Sequence, residues 1–141
     1  FAPMWSIKSV MENNGFEILT SRIHGNGLYA ARDFTKGEQI YTYPKGKIIG
    51  DVEIEKLPPE EQSHLDKVGE GRYEIISPPA CYVNHSCEPN IEEREHAGYA
   101  LRDIRKGKEF TMDYDKIAYL DEPLKCSCGT KNCRGIIRGR K

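Results

Sequence analysis

Residues 84–90 read Asn-His-Ser-Cys-Glu-Pro-Asn, and the rest of the chain is interpreted outward from this central motif. The motif gathers two amides, an imidazole, a hydroxyl and a thiol around one proline. Tyr82-Val83, just before it, is typical of the end of a buried strand, so a rigid element is expected to carry the polar side chains. A lone Asn, Ser or Pro would predict only a turn with local backbone bonds. Seven residues in this order, with matching segments elsewhere in the chain, favour a functional site.

The composition predicts one domain of ordinary size. The chain has 141 residues, of which 38% are hydrophobic and 30% charged, enough to build a core. A net charge of −1 argues against bulk electrostatic binding of nucleic acid. No apolar run approaches the roughly 20 residues that span a bilayer, so no membrane segment is expected.

The cysteines predict a metal site rather than a disulfide framework. There are 5 of them, and an odd number cannot pair completely. Three form the pattern Cys126-x-Cys128-x4-Cys133, in which the Cys-x-Cys pair is a strained disulfide but a good pair of metal ligands. This pattern predicts thiolate metal binding in a reducing, intracellular compartment. Free or oxidation-prone thiols are the less favoured alternative.

Turn and strand signals predict a framework of small β-sheets. Strands are expected from residue 16 and over residues 39–49, with a short helix over residues 60–68 after two prolines. An internal echo aligns Tyr-Ala-Ala-Arg-Asp-Phe-Thr-Lys-Gly at residues 29–37 with Tyr-Ala-Leu-Arg-Asp-Ile-Arg-Lys-Gly at residues 99–107. Each copy predicts a strand followed by a Lys-Gly turn, in which glycine supplies the positive φ. Two copies are too few for a solenoid.

Residues 24–27, His-Gly-Asn-Gly, form a glycine turn that lets the backbone bend sharply or approach a ligand. A dinucleotide-binding fingerprint is not met, because neither a third glycine nor a helix follows. From the residues alone, a plain tight turn is the simpler interpretation.

Taken together, these segments resemble the SET-domain protein-lysine methyltransferases. The family's Asn-His-Ser-Cys-x-Pro-Asn segment is complete in the central motif, and Glu-Phe-Thr-Met-Asp-Tyr at residues 109–114 resembles its Glu-Leu-Thr-Phe-Asp-Tyr segment. The glycine turn stands where the family has Gly-x-Gly, and the cysteine-bearing end resembles a post-SET segment. The departures are Asn26, Phe110 and Met112, where the family often has an aromatic residue, leucine and phenylalanine.

The resemblance implies a mainly β (α+β) fold, the SET-domain β-clip, with several small sheets, short helices and a pseudoknot crossing near Asn84 and Tyr114. It divides the chain into an N-terminal packing arm at residues 1–15, a SET domain at residues 16–118 and a post-SET zinc-binding tail at residues 119–141. An insert is expected at about residues 51–72.

The family's chemistry transfers a methyl group from S-adenosylmethionine to a lysine side chain and releases S-adenosylhomocysteine. A free lysine has a pKa near 10.4, so an aromatic channel that ends at a positive sulfonium must disfavour the ammonium form. By resemblance, Tyr114 is the catalytic tyrosine, with Tyr43 and Tyr82 as channel walls. Packing in the core is the alternative for each. Met112 has no hydroxyl and favours di- or trimethylation, although the product number stays open.

The resemblance also implies the residues that bind the cofactor and the metal. Cofactor contacts are expected from His24, Gly25, Asn26, Gly27, Tyr29, Asn84, His85 and Tyr114. A structural histidine is the alternative for the His85 side chain. One structural zinc is expected on Cys87, Cys126, Cys128 and Cys133, which leaves Cys81 as a buried apolar filler.

The implied function is a protein-lysine N-methyltransferase acting on a histone or another basic protein. Acidic stretches at residues 51–61 and 88–95 would favour a lysine-rich peptide such as a histone tail, although solvated faces are their default interpretation. The expected location is the nucleus in a eukaryote and the cytoplasm in a prokaryote. Two alternatives are a catalytically silent SET module that binds peptide or chromatin, and a zinc-stabilised nucleic-acid binder that uses the basic C-terminus.

Overall fold

A computed structural model describes residues 15–140, so the predicted packing arm lies outside the described residues except for Gly15. Most of the described elements are short strands. The strands are β1 (Phe16–Thr20), β2 (Asn26–Ala30), β3 (Gln39–Thr42), β4 (Ile48–Gly50), β5 (Leu65–Gly69), β6 (Arg72–Ile75), β7 (Asn84–His85), β8 (Ile91–Arg94), β9 (Ala97–Ala100), β10 (Thr111–Met112), β11 (Leu124–Lys125) and β12 (Ile136–Ile137). The helices are α1 (Asp51–Ile54), α2 (Pro59–Gln62) and α3 (Tyr114–Ile117), with a 3-10 turn at Ala80–Tyr82.

The strands form several small sheets, which confirms the predicted mainly β architecture. Three-stranded antiparallel sheets have the orders β3-β9-β8 and β4-β6-β5, and antiparallel pairs join β1 to β2 and β11 to β12. The pair β7-β10 is parallel. None of the helices in residues 15–140 has the length and apolar character that a membrane crossing requires.

Three local predictions are wrong in detail. The strand expected over residues 39–49 is interrupted between β3 and β4, where Pro44 lacks an amide hydrogen and a Cβ at Gly46 would collide with the Ile75 carbonyl. The helix expected over residues 60–68 ends early, because β5 pairs with β6 and tertiary hydrogen bonds outweigh local propensity. Tyr82 lies in the 3-10 turn rather than at a strand end.

The central motif is held against the segment that precedes α3. β7 and β10 run in parallel, with Asn84 opposite Thr111 and His85 opposite Met112. The amide of Asn90 extends this contact, since its Oδ1 accepts from the Thr111 N–H at 2.8 Å and its Nδ2 donates to the Glu109 carbonyl at 2.9 Å. This pairing brings together the two segments that the expected crossing involves.

The two echo copies bind each other, and we call residues 30–37 and 100–107 the paired turns. Phe34 and Ile104 exchange backbone hydrogen bonds of 2.8 and 2.9 Å. Asp33 Oδ1 accepts from the Lys106 N–H at 2.8 Å, and Asp103 Oδ1 accepts from the Lys36 N–H at 2.9 Å. Each copy therefore completes the turn of the other, in an approximately two-fold arrangement.

The core lies beneath the paired turns and extends to the candidate site. Its most deeply buried large side chains are Leu28, Phe34, Ile91 and Phe110. The rings of Phe34 and Phe110 meet edge to face with centroids 5.5 Å apart. Tyr43 and Met112 belong to the same cluster, so core packing positions the residues that line the site.

Candidate active site and metal centre

A cavity of about 560 Å³ opens beside the central motif. Its walls come from β5, β6, β8, β10 and α3 and from Tyr43, which directly follows β3, and the tail contributes Leu124 and Arg140 to its lining. Tyr43, Met112 and Tyr114, each singled out from the sequence, all line it. The structure therefore brings these three predicted residues to one space.

Tyr114 is fixed at both its backbone and its hydroxyl. Asp113 caps α3 by accepting from the Asp115 N–H at 3.0 Å, which sets the start of this helix. The Tyr114 hydroxyl donates to the Val83 carbonyl at 2.6 Å, and its N–H donates to His85 Nδ1 at 3.0 Å. Burial raises the pKa of Tyr114, so the phenol keeps its hydrogen at neutral pH.

The side chain of His85 connects the cavity to the cysteines. Its ring is buried, its Nδ1 accepts from Tyr114, and its Nε2 lies 3.5 Å from the Cys87 sulfur. Burial lowers the pKa of His85, which favours the neutral ring. This geometry supports the structural alternative for the side chain, while a role of the backbone in cofactor binding stays a prediction.

Asn84 ties the glycine turn to the central motif. Its Nδ2 lies 3.0 and 3.1 Å from the carbonyl oxygens of His24 and Asn26 and 3.0 Å from Glu109, so its two hydrogens are shared among three acceptors. A Cβ on Gly27 would collide with the Glu109 carboxylate, so glycine is required there for close approach. The predicted cofactor residues of the turn and of the central motif are thus neighbours.

Glu109 is a member of this network that the sequence analysis did not select. Its carboxylate accepts from the Ser21 hydroxyl at 2.9 and 2.8 Å and from the Tyr29 hydroxyl at 3.3 Å. The charge of Glu109, after burial, contributes to raising the pKa of Tyr29. The sequence signal that could have identified Glu109 was its position at the start of the segment at residues 109–114.

The channel tyrosines differ in their surroundings. Tyr43 is buried, lines the cavity, and donates its hydroxyl hydrogen to the Glu93 carboxylate. Tyr41 donates to the other oxygen of Glu93 at 3.0 Å. Tyr82 instead packs its ring against His64, with centroids 5.4 Å apart, and is not among the residues that line this cavity.

Carboxylates give this cavity an acidic wall. Asp66, Glu74 and Glu93 all line it, and His96 pairs with Glu74 at 3.0 Å. Burial, with the charges of Glu74 and Glu93, raises the pKa of Asp66 to about 6. A cavity of this kind attracts a cation such as a lysine ammonium. Glu93 belongs to the acidic stretch indicated at residues 88–95, whereas sequence patterns did not identify Asp66 and Glu74, because the wall is assembled from strands of two sheets.

The four predicted metal ligands lie together. The sulfurs of Cys87, Cys126, Cys128 and Cys133 are all within 4.8 Å of one another. Cys87 and Cys126 are 3.7 Å apart, close to the roughly 3.8 Å between sulfurs of a tetrahedral site with zinc–sulfur bonds of about 2.3 Å. The donor set and its spacing fit zinc, whereas Cys81 lies apart and lines the cavity.

The surroundings of the sulfurs differ in how strongly they favour the thiolate form that binds a metal. The N–H groups of Arg134 and Gly135 point to the sulfurs of Cys87 and Cys133 at 3.3 and 3.4 Å. Burial and adjacent sulfurs raise the pKa of Cys126 to about 12. Burial opposes ionisation of Cys128 as well, but hydrogen bonds involving Thr130 lower its pKa to about 6. Four thiolates this close need a positive charge between them.

The tail is also docked by contacts that involve no cysteine. The Arg134 guanidinium bridges Asp113 at 2.7 Å and Asp115 at 3.2 Å, on either side of Tyr114. Asp115 also accepts from the N–H groups of Arg138 and Gly139, both at 2.8 Å. The position of the tail and the position of Tyr114 are therefore coupled to each other.

Comparison with known proteins agrees with this geometry. The family model described as "SET domain" matches residues 25–115. The histone-lysine N-methyltransferase trithorax of Drosophila virilis is 32% identical over 140 residues, covering 85% of this chain and 4% of that protein. Histone-lysine N-methyltransferase 2B of Homo sapiens is 33% identical over 141 residues, covering 85% and 5%.

A third relative is the histone-lysine N-methyltransferase, H3 lysine-36 specific, of Saccharomyces cerevisiae. It is 30% identical over 140 residues, covering 87% of this chain and 19% of that protein. The chain thus spans less than a fifth of the length of each of these relatives. The resemblance found in the sequence is confirmed, and with the family model matching more than half of its residues, this chain belongs to the SET-domain family.

Proposed function

We propose that this chain is a protein-lysine N-methyltransferase that uses S-adenosylmethionine and acts on a histone or another basic protein. The observation that carries the proposal is the position of Tyr114. Its hydroxyl is fixed to Val83 in an acidic, tyrosine-lined cavity, one residue from Asn84 and the glycine turn that Asn84 holds. An amine-binding space and the predicted cofactor residues thus adjoin one tyrosine.

The cofactor-binding role is assigned to the glycine turn, Tyr29, Asn84, His85 and Tyr114. S-adenosylmethionine, when bound, supplies an electrophilic methyl group on a positively charged sulfur. Asn84 uses its amide hydrogens on the glycine turn and Glu109, so its carbonyl oxygen is the group that can receive an ammonium donor. Gly25, with φ of +46°, and Gly27 keep the backbone of the turn open to a close ligand.

The lysine-binding role is assigned to Tyr43, Tyr114 and the acidic wall. The carboxylates attract the ammonium to the cavity, and its proton leaves to solvent. The phenol oxygens then accept N–H bonds and orient the amine lone pair, which removes part of the entropic barrier. Tyr82 is proposed to support the channel through its contact with His64 rather than by lining it.

We assign structural zinc binding to Cys87, Cys126, Cys128 and Cys133, one ion per chain. On this proposal, residues 16–118 form the catalytic domain and residues 119–141 form a tail that closes the cavity with Leu124 and Arg140. Zinc supplies a dication that holds the thiolates together.

Transfer of radiolabelled methyl groups to purified core histones tests the function. We expect incorporation by the wild type and a loss of roughly 100-fold or more in Tyr114→Phe, with cofactor affinity nearly unchanged, because the hydroxyl acts on the aligned amine. Tyr99→Phe is the matched control, since Tyr99 packs against Arg94 away from the cavity. Histone binding without any incorporation by the wild type would favour the catalytically silent module.

A further inference from the structure

Glu93 lies where β8 faces the cavity, and it receives two phenol hydrogens. The Tyr41 hydroxyl donates to its Oε2 at 3.0 Å, and the Tyr43 hydroxyl donates to its Oε1. Burial raises the pKa of both tyrosines, and the charge of Glu93 adds to this, so the phenols remain protonated. Burial also raises the pKa of Glu93, although the hydrogen bonds from Tyr43 and Tyr41 oppose this shift. In its carboxylate form Glu93 can only accept, which fixes the direction of both bonds.

A second phenol that lines the cavity, that of Tyr114, is oriented in the same way. The Tyr114 hydroxyl donates to the Val83 carbonyl at 2.6 Å, and a carbonyl can only accept. The hydroxyl hydrogens of Tyr43 and Tyr114 are therefore both directed into the protein. Each oxygen can offer only lone pairs to a group inside the cavity.

We propose that Glu93 is a positioning residue that holds the hydroxyl hydrogen of Tyr43 away from the target amine. Glu93 thereby selects amines that carry N–H hydrogens, an inference that rests on the proposed function. The acidic wall alone does not make this distinction. An unmethylated ammonium and a trimethylated ammonium carry the same charge, whereas only the first donates hydrogen bonds to the phenol oxygens. Charge attracts the cation, and Glu93, acting through Tyr43, discriminates its methylation state.

This role opposes the expectation drawn from Met112. The methionine provides no hydroxyl, which favours higher methylation, but Tyr43 sits in the same cavity and supplies an acceptor. Each methyl group added removes one N–H donor from the amine. The first transfer is therefore the best supported, and later transfers lose contacts with the phenol oxygens.

Binding of small cations tests the inference without turnover. The probes are n-butylammonium and N,N,N-trimethylbutylammonium, titrated into the full chain and followed by NMR of the tyrosine rings. We expect the wild type to prefer n-butylammonium by about tenfold, the effect of one hydrogen bond to a charged group. In Glu93→Gln the amide can donate to the Tyr43 oxygen, so the phenol hydrogen turns toward the cavity and the preference falls to within about twofold.

Two further variants keep this result interpretable. Glu92→Gln is the matched control, because Glu92 is the preceding strand residue and pairs with Arg94 at the surface, and it should keep the wild-type preference. Tyr43→Phe removes one of the two phenol acceptors, that of Tyr43, and should lower the preference as Glu93→Gln does. Melting temperatures verify that each variant is folded. Equal affinity for both probes in the wild type, or an unchanged preference in folded Glu93→Gln, overturns the inference.

Histone methylation by the same proteins separates this inference from the proposed function. Mass spectra of the products should show a larger trimethylated share with Glu93→Gln than with the wild type. If the wild type methylates no histone but shows the preference and Glu93→Gln loses it, the proposed function fails and the inference stands. If histones are methylated and neither the preference nor the product distribution depends on Glu93, the inference fails alone.

Discussion

At the scale of single residues, Asn84 has two separable roles. Its amide holds the glycine turn through the carbonyls of His24 and Asn26, and its oxygen is assigned to the cofactor. Asn84→Ala should lower stability by about 1–3 kcal/mol, because the part-buried hydrogen bonds that hold the glycine turn are lost. It should also weaken S-adenosylmethionine binding at least tenfold. Urea unfolding and calorimetry measure the two effects.

Asn132→Ala is the control for this prediction. Asn132 also donates an amide bond, to Glu88 at 3.2 Å, but at an exposed position. Both stability and cofactor affinity should stay close to wild type in this variant. Full cofactor affinity in a folded Asn84→Ala protein would mean that Asn84 has only a structural role.

Asp66 gives a pH-dependent prediction at the same scale. Its pKa is raised from 3.8 to about 6 in the folded protein, so the folded state binds this proton more strongly than the unfolded chain. The carboxyl therefore destabilises the fold increasingly as pH rises from about 4 to 6. Asp66→Asn should add on the order of 1 kcal/mol at pH 7.5 and almost nothing at pH 4, after allowance for partial solvent screening.

Urea midpoints at the two pH values measure this gain. Asp51→Asn, at an exposed position of α1, is the control, and its gain at pH 7.5 should be smaller than that of Asp66→Asn. An equal gain from Asp66→Asn at both pH values would mean that packing, rather than charge, causes it.

The residues of the site were predictable to different degrees, for physical reasons. Tyr114, Tyr43 and the four clustered cysteines belong to local patterns or to a family motif. Asp66 has no such pattern, and Glu93 was indicated only as part of the acidic stretch at residues 88–95, because the positions of both depend on which strands pair. β8 lies near Tyr43 because it pairs with β9, which pairs in turn with β3. β5 lies at the cavity because it pairs with β6. Strand pairing over long separations is not visible in a single sequence.

At the scale of elements, the contact between α3 and the tail links the tail to the site. Arg134 bridges Asp113 and Asp115 across the start of α3. Arg134→Ala should increase hydrogen exchange over residues 126–140 and lower methylation about tenfold, because partly buried charged hydrogen bonds are lost. Lys131→Ala, exposed in the same tail, is the control. Unchanged exchange in the tail would mean that the cysteines alone hold it.

Elements were predicted best where turn chemistry is strong. The paired turns have glycines with positive φ at Gly37 and Gly107, and the sequence indicated both of these places. The insert was predicted less well. Its residues 65–69 join β6 instead of extending α2, and the hydrogen bonds that decide this come from a strand further along the chain.

At the scale of the whole molecule, one zinc per chain should be required for activity but not for the β core. Chelation should abolish methylation while most β-sheet circular dichroism remains, since the large core side chains lie elsewhere. Cys133→Ser should act like chelation, and Cys81→Ser should keep its zinc. Metal analysis of protein purified under reducing conditions measures this, and zinc that survives loss of Cys87 would contradict the assigned ligand set.

The paired turns have a consequence for the way this chain must be made. Each of their exchanged bonds joins residues about 70 positions apart, as between Phe34 and Ile104. At a synthesis rate of roughly 5–20 residues per second, the first turn waits about 4–14 seconds for its partner to be translated. Until then Phe34, one of the most deeply buried core residues, has no Ile104 with which to exchange backbone hydrogen bonds. The N-terminal half therefore cannot complete its native fold during its own synthesis. The native fold can form only when the second copy has left the ribosome.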